Sequence, residues 1–124
     1  LVICSLALTH LFSIDQAILE LARVTRSGGH IILSDIHPWF VLIGGQAEFE
    51  DSKGKTGYIY NHVHLHSTYL KAFKKAGLKV DKCLEIPLKK SHIKPSKLGL
   101  NLSNNTINTA LEGLPIVLVW VLEK

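Results

Sequence analysis

The sequence contains no methionine, only two cysteines, and charged residues at just 19% of its length. Because translation begins on methionine, a chain that opens on Leu1 and holds none is expected to be a piece of a longer protein. The cysteines, Cys4 and Cys83, lie far apart inside apolar segments. Two such residues do not make a disulfide framework, and they favour free thiols in a reducing compartment. We therefore expect a cytoplasmic location.

Long apolar runs and concentrated positive charge are missing as well. No run approaches the roughly 18 residues of a membrane-spanning helix, and the apolar opening at residues 1–14 lacks a basic leader and a small-residue cleavage site. The net charge of +4 comes from scattered lysines instead of a basic stripe interleaved with aromatics. We expect neither a membrane nor a nucleic acid as a partner. Hydrophobic residues make up 47%, which indicates one globular domain.

The first forty residues follow a strand, helix, strand pattern. Residues 1–5 form an apolar run of the kind found in parallel strands covered on both faces. Ser13 is predicted to cap a helix, with Gln16 completing a capping box. The glycine pair at 28–29 ends that helix, and residues 30–36 form a second β-branched run. This order predicts a right-handed βαβ unit.

The middle of the sequence predicts an apolar loop at residues 39–45 and a hairpin that turns at residues 51–55. The second arm alternates between residues 58 and 66, which predicts three histidines on one strand face: His62, His64 and His66. Imidazole is a common zinc ligand, but no cysteine or acidic residue adjoins this set. We interpret it as a polar face that contacts a ligand or solvent, and we predict no metal site.

The remaining segments complete the sheet. A helix is predicted from Ser67 or Thr68 to Gly77, with Leu70 on its apolar face, followed by a strand at residues 78–87. Residues 88–113 are largely polar and predicted to be the least ordered, and residues 114–122 form a last apolar strand. The first strand is predicted to have an unpaired edge, through which we expect self-association.

Four stretches in this order resemble class I S-adenosylmethionine-dependent methyltransferases. Residues 1–11 resemble the fourth strand and following loop of the family, and residues 20–30, with Arg-Val and Gly-Gly, resemble the helix and turn before strand five. Residues 70–80 resemble the last helix running into strand six, and residues 114–124 resemble strand seven. Ser27 stands where the family usually has proline.

The resemblance implies an α/β fold: a partial Rossmann-like methyltransferase sheet of strands four to seven with a hairpin insertion. The last strand would be antiparallel and would lie between strands five and six. Residues 1–124 would be the carboxy-terminal portion of a single methyltransferase domain, and residues 38–66 its acceptor-side loop and hairpin insertion. The glycine-rich cofactor loop and the acidic residue that binds the ribose belong upstream of strand four, and neither appears in this sequence.

The resemblance also implies site residues. Ser5, Leu6 and Ala7 would line the methionine portion of S-adenosylmethionine, with His10 nearby. Two residues that follow strand five, Asp35 and His37, would orient or deprotonate a small-molecule acceptor. From the residues alone, the alternative is that Leu6 and Leu8 are core residues and that His10 caps its loop. The alternative for Asp35 is that its side chain binds nearby backbone amides in a turn before Pro38.

Three functions follow from this reasoning. The first is transfer of a methyl group from S-adenosylmethionine to an unidentified small-molecule acceptor, by a longer parent protein of which this chain alone is inactive. The second is a non-catalytic remnant or interaction module that binds no cofactor. The third, half of a nicotinamide-dependent dehydrogenase, predicts parallel terminal strands with helical crossovers, which the direct loop into residues 114–122 disfavours.

Overall fold

The computed structural model describes residues 1–89 and 109–124. Its elements, in chain order, are β1 (Val2–Ser5), a 3₁₀ turn (Leu8–His10), α1 (Asp15–Val24), β2 (His30–Ile36), α2 (Pro38–Leu42), β3 (Ala47–Glu50), β4 (Thr56–Ile59), α3 (His66–Lys75), β5 (Lys79–Pro87) and β6 (Pro115–Glu123). Most of the polar segment predicted at residues 88–113 lies outside the described residues. None of the described helices has the length and apolar character to cross a bilayer.

The main sheet has four strands in the order β1-β2-β6-β5. β1 runs parallel to β2, whereas β6 lies antiparallel to both of its neighbours, β2 and β5. The mixed α/β class is therefore confirmed, and so is an antiparallel last strand inserted between earlier strands. Within the described residues β1 pairs only with β2, so its outer edge has no partner there. β3 and β4 form a separate antiparallel pair.

Both long helices cover the same face of the main sheet. One core cluster contains Ile18 of α1, its N-cap residue Ile14, and Tyr69 and Phe73 of α3. This cluster meets alternate residues of β2 and β6. The opposite face carries Ile3, which is 65% exposed. The prediction that β1 is covered on both faces is therefore wrong for the described residues, because both helices pack on one side.

Two predicted elements in the middle of the chain differ from the structure. The apolar loop predicted at residues 39–45 begins as helix α2, because Pro38 at its first turn is preset for a helix. The second hairpin arm ends at Ile59 instead of His66. Beyond it no strand forms. The Asn61 side chain donates a hydrogen bond to the Gly45 carbonyl, and the His64 ring is hydrogen-bonded to the Leu11 carbonyl, both in neighbouring loops. The three histidines therefore do not share a strand face.

The start of α1 and both ends of α3 were predicted to within about two residues, whereas α1 already ends at Val24, with Thr25 and not the glycine pair as its C-cap. α1 has Ile14 at its N-cap position, and Ser13 Oγ accepts only a long bond of 3.5 Å from the Asp15 amide, so the predicted capping box is wrong. α3 begins at His66, and Leu70 is exposed whereas Ala72 is buried. The glycine at the end of α3, Gly77, has the positive φ of 70° that its predicted C-terminal position requires.

Candidate functional site

The candidate site lies at one edge of the main sheet. β1, β2 and β5 point the same way, because β2 and β5 are each antiparallel to β6. Their carboxyl ends therefore meet at one edge, where open α/β sheets bind ligands. We call this the carboxyl edge and define it by three segments: residues 5–10, residues 35–37 and residues 85–87.

The loop after β1 is exposed and strained at one residue. Leu6 has a φ of 51°, in the left-handed region that leucine rarely adopts. Its amide donates to the Ser34 carbonyl at 2.8 Å, and Ser34 Oγ donates to Ser5 Oγ at 2.8 Å. These bonds to β2 hold the turn, and Ser5, Leu6 and Ala7 remain exposed. The reading of Leu6 as a core residue is therefore wrong, since its side chain faces solvent.

Asp35 ties this loop to β2. It is 3% exposed, and its two carboxylate oxygens accept from the Thr9 amide at 2.8 Å and from the Ile36 amide at 2.9 Å. Burial raises the pKa of Asp35, and the two amide bonds oppose that rise. Both oxygens are therefore engaged by backbone, which is the alternative that the sequence left open. The bonds place Thr9, and with it the loop that carries His10.

The loop after β4 lies against the loop after β1. The amide of His62 donates to the Thr9 carbonyl at 2.6 Å, and the Tyr60 carbonyl lies 3.4 Å from His10 Nδ1. The edge of the Tyr60 ring also contacts the His62 ring, with centroids 4.8 Å apart. The residues after β4 therefore form one wall beside His10, a contact between residues about fifty apart that no local sequence pattern reveals.

His37 lies at the end of β2 and forms part of a three-residue cluster. The residue is buried, and its amide donates to the Ile116 carbonyl at 2.9 Å. Its Nδ1 accepts from the Trp39 amide at 3.3 Å, which caps α2. Its Nε2 lies 3.1 Å from Glu85 Oε1. The buried imidazole is thus fixed at both ring nitrogens.

The same carboxylate oxygen of Glu85 lies 3.0 Å from His66 Nε2. The hydrogen bond from His37 holds the pKa of Glu85 below its usual range, and the two imidazoles lower it further by their charge when protonated. Sequence reasoning missed Glu85 and grouped His66 with the wrong histidines. Asp35 of β2 and Glu85 of β5 both pair with Leu118 of β6. This strand register would have identified Glu85 as a site residue, but it is visible only in the folded sheet.

The structure therefore brings the six predicted site residues to one edge, with different surroundings. Ser5, Leu6 and Ala7 are exposed, His10 is half-buried, and Asp35 and His37 are buried. The reason for predicting no metal site was the lack of an adjoining acidic residue. That reason fails for His66, because β5 delivers Glu85 beside it.

No family model and no curated protein matches this sequence. Several solved structures are similar in fold, among them the following two. An S-adenosylmethionine-dependent methyltransferase from Mesorhizobium loti is 16% identical with a TM-score of 0.61, and the match covers 98% of this chain and 60% of that one. A chain from Listeria monocytogenes, provisionally described as an enzyme of the same class, is 18% identical with a TM-score of 0.66, covering 98% of this chain and 59% of that one.

This chain thus spans about 60% of the length of the solved structures it matches. At such low identities the likeness concerns the fold. The chain has a mixed α/β fold similar to a part of S-adenosylmethionine-dependent methyltransferases.

Proposed function

We propose that this chain is the carboxy-terminal part of a methyltransferase domain whose longer parent transfers a methyl group from S-adenosylmethionine to a small-molecule acceptor. The observation that carries the proposal is the fold likeness to solved methyltransferases over 98% of the chain. The antiparallel strand between β2 and β5 supports it, because the resemblance implied that strand order from the sequence alone.

The loop after β1 is the proposed cofactor side. Three exposed residues at the carboxyl end of a parallel strand, Ser5, Leu6 and Ala7, are free to contact the methionine portion of S-adenosylmethionine. The positive φ of Leu6 supports this role, since strained backbone clusters at ligand sites. His10 lies in the next turn, held beside Tyr60, and is proposed to border the same ligand.

Asp35, His37 and residues 38–66 form the proposed acceptor side. The cofactor supplies an electrophilic methyl group, and the protein must align the acceptor, exclude water and accept a proton from a protonated acceptor. Of the two, His37 is proposed to accept the proton at Nδ1, which requires the acceptor to displace the long bond from the Trp39 amide, because Nε2 faces Glu85. Asp35 is proposed to act chiefly by positioning Thr9 and His10, since both of its oxygens bind backbone amides.

Photo-crosslinking with radiolabelled S-adenosylmethionine tests the cofactor side directly. We expect ultraviolet irradiation to place the label on the peptide that contains residues 5–10, and excess S-adenosylhomocysteine to compete for it. ATP, which shares the adenosine but lacks the amino-acid portion, is the control and should not compete. Label that is spread over the chain, or that ATP removes equally well, would contradict the proposal. Reversible affinity is expected to be weaker than micromolar.

The second candidate is a non-catalytic interaction module that binds no cofactor. The sheet face opposite the helices favours it, because this face exposes Ile3, Leu84 and Ile86. Soluble proteins rarely leave a contiguous apolar face uncovered unless it meets another surface. With the free edge of β1, that face is the proposed surface for self-association. Concentration-dependent sedimentation together with no crosslinking at residues 5–10 would favour this function over methyl transfer.

A further inference from the structure

One cluster at the carboxyl edge has the composition of a metal site. His37, His66 and Glu85 each offer one ligand atom, and these three atoms all lie within 4.8 Å of one another. Both imidazoles reach the same oxygen, Glu85 Oε1, at 3.1 and 3.0 Å. Among the described residues no lysine or arginine forms an ion pair with this carboxylate, and the two imidazoles are its charged or polar neighbours.

Three different elements deliver these side chains. His37 follows β2 and caps α2, His66 is the first residue of α3, and Glu85 lies in β5. The two imidazole rings lie close together, with centroids 5.4 Å apart, and the His66 ring meets the buried Trp120 ring at 5.7 Å. Ligands placed by separate packed elements need little rearrangement to close around an ion.

We propose that His37, His66 and Glu85 bind one divalent transition-metal ion of the Zn²⁺ type. Two imidazole nitrogens and one carboxylate oxygen are a ligand set that such ions prefer, whereas Mg²⁺ and Ca²⁺ prefer oxygen ligands alone. Ligand atoms about 2.1 Å from a common ion lie at most about 4.2 Å apart. The observed spread of 4.8 Å therefore requires only a small shift of the half-exposed His66 and Glu85 side chains.

Binding through Nε2 of His37 changes the bond at its other ring nitrogen. That nitrogen, Nδ1, now accepts from the Trp39 amide, so the proton of the neutral ring lies on Nε2. An ion bound at Nε2 requires this proton to lie on Nδ1 instead, which removes the hydrogen bond from the Trp39 amide that caps α2. The bond is long, at 3.3 Å, but its loss leaves two N–H donors facing each other beside a buried ring, a cost that binding of the ion must exceed.

The cluster leaves a coordination position open to solvent. Of the three side chains, His37 is buried, whereas those of His66 and Glu85 are 37% and 49% exposed. Three protein ligands with an open fourth position are typical of catalytic zinc sites, in which the ion binds water or substrate. The inference does not rest on the methyltransferase proposal, since a metal site can be present in a chain that binds no cofactor.

Calorimetric titration of the chelator-treated 124-residue chain with Zn²⁺ tests the site. We expect one ion per chain in the wild type. His66→Gln and Glu85→Gln should each weaken binding at least about tenfold, since even the outer partners of metal ligands cost that much. His30→Gln is the matched control, because this exposed histidine lies at the opposite end of β2 and should change nothing. His37 is left intact in these variants because it caps α2.

A second readout separates ligand loss from misfolding. At one Zn²⁺ concentration, the ion should raise the Tm of the wild type and of His30→Gln by the same amount and that of Glu85→Gln by less. Circular dichroism should show the same helix and strand content in all of them. Absence of Zn²⁺ binding to the wild type would overturn the proposal. Affinity that stays the same in His66→Gln and Glu85→Gln, or that falls equally in His30→Gln, would overturn it too.

Discussion

The two faces of the main sheet both carry apolar residues but have different surroundings. On the face toward α1 and α3, Leu118 and Leu122 of β6 are fully buried. On the other face, Val119 is only half-buried and its β5 neighbour Leu84 is 45% exposed. The alternation of β6 thus places one set of side chains in a packed core and the other on an open surface.

The near-continuous apolar sequence of β6 is typical of a strand that is covered on both faces, and the described residues cover one of its faces. The covered face should therefore govern the stability of this chain, and the open face should govern its association. The predictions below test that division.

The largest effect is expected in the covered core. Phe73 is 1% exposed and its ring packs against Trp120 at 5.3 Å. Phe73→Ala should lower the free energy of unfolding by about 3–5 kcal/mol, because it removes buried area and leaves a cavity. Leu84→Ala, on the open face, should cost less than about 1 kcal/mol. Urea denaturation of both variants measures this contrast, and equal losses would show that the two faces do not differ.

The next effect concerns association. Leu84→Lys places a charge on the open face and should shift the chain toward monomer in sedimentation velocity, with little change in the urea midpoint. Val24→Lys is the control, since Val24 is an exposed apolar residue at the end of α1 instead of on the sheet. If both substitutions shift the chain toward monomer equally, the open face has no special role in association.

A smaller effect is expected at the end of α3. Gly77 has a φ of 70° and open space where a Cβ would lie. Gly77→Ala should therefore cost about 1 kcal/mol, from backbone conformation and not from a clash. Ser67→Ala, at an exposed position in the same helix, provides the comparison for thermal unfolding. A neutral Gly77→Ala would show that α3 ends differently.

The smallest effect concerns the two thiols. Burial raises the pKa of Cys4, with a further contribution from the charge of Asp35, and burial also raises the pKa of Cys83. A raised pKa leaves less thiolate at a given pH, so both should react with iodoacetamide more slowly than a free thiol and accelerate only at higher pH. Cys83 is exposed and should be labelled before Cys4 in peptide mass spectra. Faster labelling of Cys4 than of Cys83 would show that β1 separates from β2 and exposes its thiol.

The sequence predicted the strands and helices well where local patterns decide them. The apolar runs of β1, β2 and β6 and the glycine at 77 predicted their elements, because strand periodicity and left-handed caps are local properties. Residues 58–66 were mispredicted because hydrogen bonds from Asn61 and His64 to distant loops override the alternation.

The site was predictable only in part for the same reason. Residues that follow β1 and β2 are adjacent in any parallel pair, so Ser5 and Asp35 could be placed at one edge from sequence. Glu85 could not, because its position beside His37 depends on the register of β5 against β6 and on a bulge near Asp81. The contact of Tyr60 with His10 likewise depends on the path of a loop.

The most direct test of the central claim is to titrate the isotope-labelled chain with S-adenosylhomocysteine and follow its amide resonances by NMR. Weak binding is sufficient, since fast exchange reports which amides meet the ligand. We predict shifts concentrated at Ser5, Leu6, Ala7 and His10, with smaller changes at Asp35 and His37 and none on the open face around Leu84. Shifts confined to the open face, or no shifts at millimolar ligand, would contradict the assignment of the carboxyl edge as a methyltransferase cofactor site.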